Sequence, residues 1–125
     1  MANQKIHTKM APAALGAYSQ AVVCGETIYL SGQLGIDPTT NTLPSSFIEQ
    51  AQQALLNVEA ILIAAGHTRN NIVKLTIFLA DIKNFELLNN ALDAFFEGDF
   101  PARSLIEASA LPKNALIEID AIAAI

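Results

Sequence analysis

Cysteine, histidine and charge are all scarce in this sequence, and each scarcity closes off a class of chemistry. Cys24 is the only cysteine, so no disulfide can form within the chain, which suits a reducing compartment. It ends an apolar strand with no adjacent histidine and reads as a small buried hydrophobe rather than a nucleophile. His7 and His67, the two histidines, stand far from each other and from Cys24. They make no zinc pattern, and no cluster of Asp and Glu suggests a magnesium site, so no metal is expected. Charged residues make up 15% of the chain, against a usual share of about 25%. The seven basic residues are scattered, and the formal net charge is −5. Phosphate backbones are bound by clustered Lys and Arg, so nucleic acid is not an expected partner. A membrane surface is not expected either, for want of a basic amphipathic helix. No apolar run reaches bilayer-spanning length, and Met1 to His7 lack the apolar stretch of a secretory signal. The expected location is cytoplasmic.

Apolar side chains, by contrast, make up 52% of the 125 residues. The length fits one domain over residues 1–125. A small domain has a large surface relative to its volume, and a chain this poor in charge has little with which to coat it. Burial in an oligomer is the expected remedy, with an Ala-rich apolar monomer as the alternative.

Two stretches carry helical periodicity. Ser46 with Glu49 forms a capping-box signature. Phe47, Ile48, Ala51, Leu55, Val58, Ile61, Leu62 and Ala65 follow at helical spacing, with Gln50, Gln53, Asn57 and Glu59 mostly on the opposite side, and Gly66 as the stop. A second helix starts near Asp81 or Asn84, carries Phe85, Leu88, Leu92, Phe95 and Phe96 on one stripe, and ends at Gly98. The remainder reads as strands: a possible short one near Lys5 to Thr8, a hairpin of Tyr18–Cys24 and Thr27–Gly32 around Gly25-Glu26, a long strand over Asn71–Ala80, and a second hairpin of Arg103–Ser109 and Ala115–Ile125. The order predicts an α+β fold with two helices packed on one sheet. Ile72, Val73, Leu75, Ile77, Phe78 and Leu79 are apolar on both faces of their strand, where a sheet with one wet face would alternate. The second face therefore needs a cover that the chain has no helix left to supply, and a neighbouring subunit is the natural one.

Few residues are placed to do chemistry. Ser31-Gly32-Gln33-Leu34-Gly35 is neither a P-loop nor a dinucleotide fingerprint. It is either a strand end turning into a loop or a place where Gly32 lets a ligand approach a backbone N–H. Arg103 opens a strand in an otherwise uncharged neighbourhood. Its planar guanidinium can hold a carboxylate through two parallel hydrogen bonds, or it can pair with Glu107 or Glu118; both readings stay open. Glu118 and Asp120 alternate onto one face of an apolar strand, where they are either a solvated edge or groups with a task. The second hairpin would bring Arg103 and Glu118 into one neighbourhood, as a salt bridge or as a site.

The motifs Ala11-Pro12-Ala13-Ala14-Leu15-Gly16-Ala17-Tyr18-Ser19-Gln20-Ala21, Ser31-Gly32-Gln33, Phe100-Pro101-Ala102-Arg103-Ser104, Leu111-Pro112-Lys113 and Ile117-Glu118-Ile119-Asp120-Ala121-Ile122-Ala123 occur in that order. Together they resemble the Rid (reactive intermediate deaminase, YjgF-like) family, in its 2-iminobutanoate/2-iminopropanoate deaminase branch, over nearly the whole chain. The resemblance implies a chorismate-mutase-like fold, a homotrimeric barrel with helices outward and sites between subunits, and cofactor-free hydrolysis of 2-imino acids to 2-keto acids and ammonia. The imines arise from by-products of pyridoxal-phosphate-dependent dehydratases. It also implies that Arg103 binds the substrate carboxylate, that the Gly32 N–H assists it, and that Glu118 orients the attacking water. Tyr18, Ser31 and Asn89 would line the pocket, and a backbone carbonyl near Leu105 would receive the imine nitrogen. Departures from the family pattern are Leu105 in place of a frequent cysteine, Ala17 in place of a proline before Tyr18, and Asp120 in place of a frequent glutamate. Two other functions remain open on the same residues. One is a non-catalytic trimer that binds small carboxylates, which would not need Glu118. The other is RNA cleavage or translation inhibition, which the acidic balance disfavours.

Overall fold

Residues 3–125 are described by the structure, a computed structural model. Met1 and Ala2, the start of the stretch read for a secretory signal, lie outside them. The strands are β1 (Gln4–Ile6), β2 (Ala21–Cys24), β3 (Thr27–Leu34), β4 (Ile72–Leu79), β5 (Ala102–Glu107) and β6 (Ile117–Ala124), with helices α1 (Phe47–Ala64) and α2 (Phe85–Phe96). One sheet of order β1-β2-β3-β6-β4-β5 joins all six strands, antiparallel except for the β4–β5 pair. It is the α+β arrangement expected. No helix among the described residues is long and apolar enough to cross a membrane.

Local sequence accounts for most of these elements. Cys24 faces Thr27, leaving Gly25 and Glu26 as a two-residue loop. Gly25 has the positive φ, 60°, that a Gly-first hairpin turn requires. The strand before that loop starts at Ala21 rather than Tyr18, and the opening strand covers Gln4–Ile6. At α1 the Ser46 hydroxyl accepts from the Glu49 N–H at 3.2 Å and donates to the Glu49 carboxylate at 2.8 Å. The helix ends in a Schellman closure, with Gly66 at φ 82° donating to Ile63 and His67 donating to the Leu62 carbonyl. A single 3₁₀ turn at Ile82–Asn84, capped by Asp81, leads into α2. Glu97, in the left-handed conformation, takes the C-cap one residue before the expected Gly98.

Three expectations are overturned. The first is the hairpin of Arg103–Ser109 with Ala115–Ile125. β5 pairs in parallel with β4, and β6 lies between β3 and β4. β4, α2 and β5 thus form a βαβ crossover. Burial explains the choice. β6 alternates fully, with Ile117, Ile119, Ala121 and Ala123 buried under the helices, as suits a central strand. Arg103, Ser104 and Glu107 of β5 are exposed, a composition tolerated at an edge. The second concerns α1, where Gln50 (4% exposed) and Asn57 (0%) are buried rather than solvated. Asn57 donates to the carbonyls of Leu34 (3.0 Å) and Ile36 (2.9 Å), and Gln50 bridges the Pro44 carbonyl and the Leu116 N–H, both at 2.8 Å. Buried loop backbone needs partners, and these amides provide them. The third is Cys24, which is exposed at the end of β2.

The core is one cluster between the helices and one sheet face, built on Leu55, Val58, Ile61, Leu62, Leu75, Ile77, Leu88 and Ile119. The other sheet face has no cover among the described residues. Register places Tyr29 beside Ile122, and Ile106 beside Phe78, which in turn faces Glu118. Tyr29 is 51% and Ile106 46% exposed.

Candidate functional site

Strand alternation on β6 sends Glu118 and Asp120 to the open face, opposite their buried neighbours. Glu118 faces Phe78 on one side and Leu34 on the other, next to an irregularity in β3 where the register slips between Leu30 and Gln33. Gly32 lies inside that slip, and the Glu118 carboxylate rests against it. A Cβ built on Gly32 would meet Glu118 Oε2 at 2.5 Å and Cδ at 2.9 Å. Burial, and secondarily the like charge of Asp120, holds the Glu118 carboxyl above the ordinary carboxylate range. Asp120 is raised by burial too, while its cross-strand neighbour Thr76 and the Lys74 ammonium pull it back.

Glu118, Gly32, Ser31 and Tyr18 line one cavity of about 510 Å³, together with Pro12, Leu15, Ile36 and Lys113. The Ser31 hydroxyl donates to the Ser19 carbonyl at 2.6 Å, and the Ser31 N–H to the Gln20 carbonyl at 2.9 Å. Ser31 therefore anchors the Tyr18 segment to β3 besides lining the cavity. Gln20 is 2% exposed. Its side chain accepts from the Thr8 N–H at 2.6 Å and donates to the carbonyls of Thr8 and Pro12 at 3.0 and 2.8 Å.

Arg103 is elsewhere. Its register partner Leu75 belongs to the core face, so Arg103 projects to the helix side of the sheet edge. There Nη1 donates to Asn89 Oδ1 on α2 at 2.7 Å. The pair lines a second cavity of about 430 Å³ with Asp93, Phe96, Phe100 and Pro101. Neither carboxylate weighed as an ion-pair partner is used. Glu107 accepts from the Ile82 N–H at 2.9 Å, Glu118 lies two strands away on the other face, and the ion pair found among the described residues is Arg69–Glu59. Leu105, on the Arg103 side of β5, is half-buried against the core and lines neither cavity.

The expected site residues thus fall into two groups. Tyr18, Ser31, Gly32 and Glu118 meet at one cavity, Arg103 and Asn89 at the other, and β4 runs between them. Within one chain the expected convergence of Arg103 and Glu118 does not occur. Sequence reasoning missed Gln20, although a polar amide directly preceding an apolar strand is a hint of a buried polar tie. It also missed Phe96, Phe100 and Lys113, which look like ordinary core and loop residues. Among the described residues there is no group of three or more His, Cys, Asp or Glu able to hold a metal ion.

A family model described as Endoribonuclease L-PSP matches residues 8–125. A goat (Capra hircus) protein named 2-iminobutanoate/2-iminopropanoate deaminase is 50% identical over 119 residues, covering 94% of this chain and 87% of that protein. The human protein of the same name is 48% identical with the same coverage. Among solved structures, a protein of unknown function of the conserved Rid family from Yersinia pestis is similar with a TM-score of 0.96 and 45% identity, covering 99% of this chain and 100% of that one. E. coli TdcF with bound serine is similar with a TM-score of 0.94 and 37% identity, covering 98% of each chain.

Proposed function

Because the chain belongs to the Endoribonuclease L-PSP family, in which the Rid proteins fall, we propose that it hydrolyses 2-imino acids such as 2-iminobutanoate and 2-iminopropanoate, releasing 2-keto acids and ammonia. The observation that carries this reading is Arg103, a guanidinium directed into a cavity, steadied by an amide and paired with no carboxylate among the described residues. Asn89 occupies Nη1 and leaves other N–H groups for a two-point grip on a substrate carboxylate. The Gly32 N–H assists that grip, and Tyr18 and Ser31 complete the wall.

Glu118 supplies the other half of the chemistry. Its raised affinity for a proton suits a carboxylate that orients water and accepts a proton as oxygen bonds to the imine carbon. The C=N π electrons move to nitrogen, which takes up a proton. The resulting carbinolamine expels ammonia as its C–N bond breaks, the hydroxyl proton passing to the leaving nitrogen while the hydroxyl oxygen becomes the keto oxygen. β5 is an edge strand, and the backbone carbonyl of Leu105 is the acceptor for the imine N–H. Every group named is an acid, a base or a hydrogen-bond partner, so the reaction runs without a cofactor.

One small substrate cannot touch Arg103 and Glu118 of the same chain, since they project from opposite faces with β4 between them. The site is therefore formed between subunits, with the Arg103 half of one meeting the Glu118 half of the next in a homotrimer. Apolar Tyr29, Ile106 and Phe78 on the uncovered sheet face support such an assembly. A formal charge of −5 offers no electrostatic footing for the RNA chemistry in the family's description.

The test couples a threonine dehydratase to this protein and follows 2-ketobutanoate release. Wild type accelerates release and Arg103→Ala does not. No acceleration with several 2-imino acids refutes the proposal. Loss of turnover with retained 2-ketobutanoate binding in Glu118→Gln separates an enzyme from a carboxylate-binding regulator, which binds 2-ketobutanoate with or without Glu118 and turns over no imine in either form.

A further inference from the structure

The segment from Pro12 to Tyr18, which walls the Glu118 cavity, has almost nothing packed behind it. It holds no regular structure, and its side chains are largely in solvent, Leu15 at 74% and Tyr18 at 50% exposure. Its far side opens onto another cavity of about 420 Å³, lined by His7, Thr8, Lys9, Ala13, Ala14 and Tyr18. Ala13 and Tyr18 line both cavities, so this wall is one residue layer thick with space on either side. Packing within the chain does not fix such a layer. Hydrogen bonds at its two ends must.

At the C-terminal end the Ser31 hydroxyl holds the Ser19 carbonyl. At the N-terminal end a single buried side chain does the work. Gln20 Oε1 accepts from the Thr8 N–H, and Nε2 donates to the carbonyls of Thr8 and Pro12, with a longer approach to that of Ala11 at 3.5 Å. Gln20 itself immediately precedes β2, whose first residue Ala21 pairs with Ile6 and Leu30. The amide thus ties the free-standing wall to the sheet. An amide is the one neutral side-chain group that offers both an acceptor and two donors in this geometry. A glutamate would lose the donors, and an apolar residue would strand three backbone groups.

We infer that Gln20 is a positioning residue: by pinning Thr8 and Pro12 it sets the place of the Pro12–Tyr18 wall, and through that wall it sets how tightly the cavity holds the side chain of its substrate. This rests on the proposed imine hydrolysis, and it makes a different demand. Gln20 touches no reacting atom, so its loss loosens binding and leaves the chemical step of the bound complex in place.

The experiment compares wild type with Gln20→Leu and Gln20→Glu at matched oligomeric state and circular dichroism. It reads kcat and KM for 2-iminobutanoate hydrolysis, the Kd for 2-ketobutanoate, and hydrogen exchange at the Thr8 amide. A 10-fold change in Kd corresponds to about 1.4 kcal/mol of binding free energy. The expected result is a rise of about 10-fold or more in KM and Kd in both variants, with kcat within a few-fold of wild type, and faster exchange at Thr8 in Gln20→Leu, which alone loses the acceptor for that amide. A variant that merely unfolds in part shows the opposite split, a lower kcat at unchanged KM, and that result overturns the inference. So does faster Thr8 exchange with unchanged KM and Kd. If wild type binds 2-ketobutanoate without turning over any imine, hydrolysis fails as the function while the Kd comparison still decides the role of Gln20. If wild type does neither, both readings fall.

Discussion

At Gly32 and Glu118 a backbone and a carboxylate compete for one space. The Oε2 atom stands where a Cβ on residue 32 would come within 2.5 Å, closer than any side chain tolerates. The obstructing atoms are the end of a flexible side chain, so Gly32→Ala is expected to move the Glu118 carboxylate rather than the fold. Activity then falls by about 10- to 100-fold while the denaturation midpoint stays near that of wild type; a large stability loss with unchanged specific activity would contradict this. Glu118 itself carries a cost. Its folded pKa lies above its unfolded one because it is buried beside Asp120. As pH rises through the window between the two values, the unfolded chain releases its proton first, so stability drops and remains lower above that window. Glu118→Gln removes the penalty. It is expected to lose about 100-fold or more in turnover, yet to be at least as stable as wild type at neutral pH, the difference closing below the carboxylate range. Urea titrations at several pH values and one fixed protomer concentration measure it. Asp120→Asn takes away the like charge, lowers the Glu118 pKa, and shifts the acid limb of kcat/KM to lower pH. An unmoved limb would show that another group sets it.

Among the elements, α1 illustrates what periodicity reveals and what it hides. Its apolar stripe, Ser46 cap and Gly66 stop are each legible in the sequence, because they follow from local geometry. The buried amides are not. Gln50 and Asn57 flank the apolar stripe in one row with Ala54 and Ile61, where their polarity argues for solvent, and only the chain packed over them, the end of β3 with the segment after it and Leu116 before β6, turns that flank inward. Asn57→Ala strands the carbonyls of Leu34 and Ile36 and is expected to cost about 2 kcal/mol or more. Arg69 is a second hidden tie. Between α1 and α2 it bonds Glu59 at 2.8 Å through Nη2, donates to the Phe95 carbonyl at 2.7 Å, and lies 3.9 Å over the Phe95 ring. Its removal is expected to cost about 1–3 kcal/mol, read as a lower midpoint in equilibrium denaturation; a change within error would reduce the tie to a surface contact. The strand pairing shows the same limit. A short connection made Arg103–Ser109 and Ala115–Ile125 look like a hairpin, but pairing is decided by which strand can be buried on one face along its whole length. That contest between β5 and β6 is settled by the entire sheet, not by the loop between them.

The whole molecule explains why the site was only half legible. Motifs pointed to its candidate residues, and alternation placed Glu118 on the open face, but no property of one chain brings Arg103 to it. A residue pair that belongs together chemically and lies apart in the monomer is what an intersubunit site looks like from a single subunit. The proposed trimer makes this measurable without a complex structure. Each site would take Arg103 from one subunit and Glu118 from its neighbour, so Arg103→Ala and Glu118→Gln homotrimers are each inactive. Mixed at equal amounts, unfolded and refolded together, the subunits assort at random. A site then works when an intact Arg103 half, present in half the subunits, meets an intact Glu118 half, also present in half of them. The expected recovery is about a quarter of wild-type activity. A co-refolded mixture as inactive as its parents, with mixed trimers confirmed by mass spectrometry, would mean that each chain carries both groups to one substrate, and the sheet would then have to open between β6 and β5 to allow it.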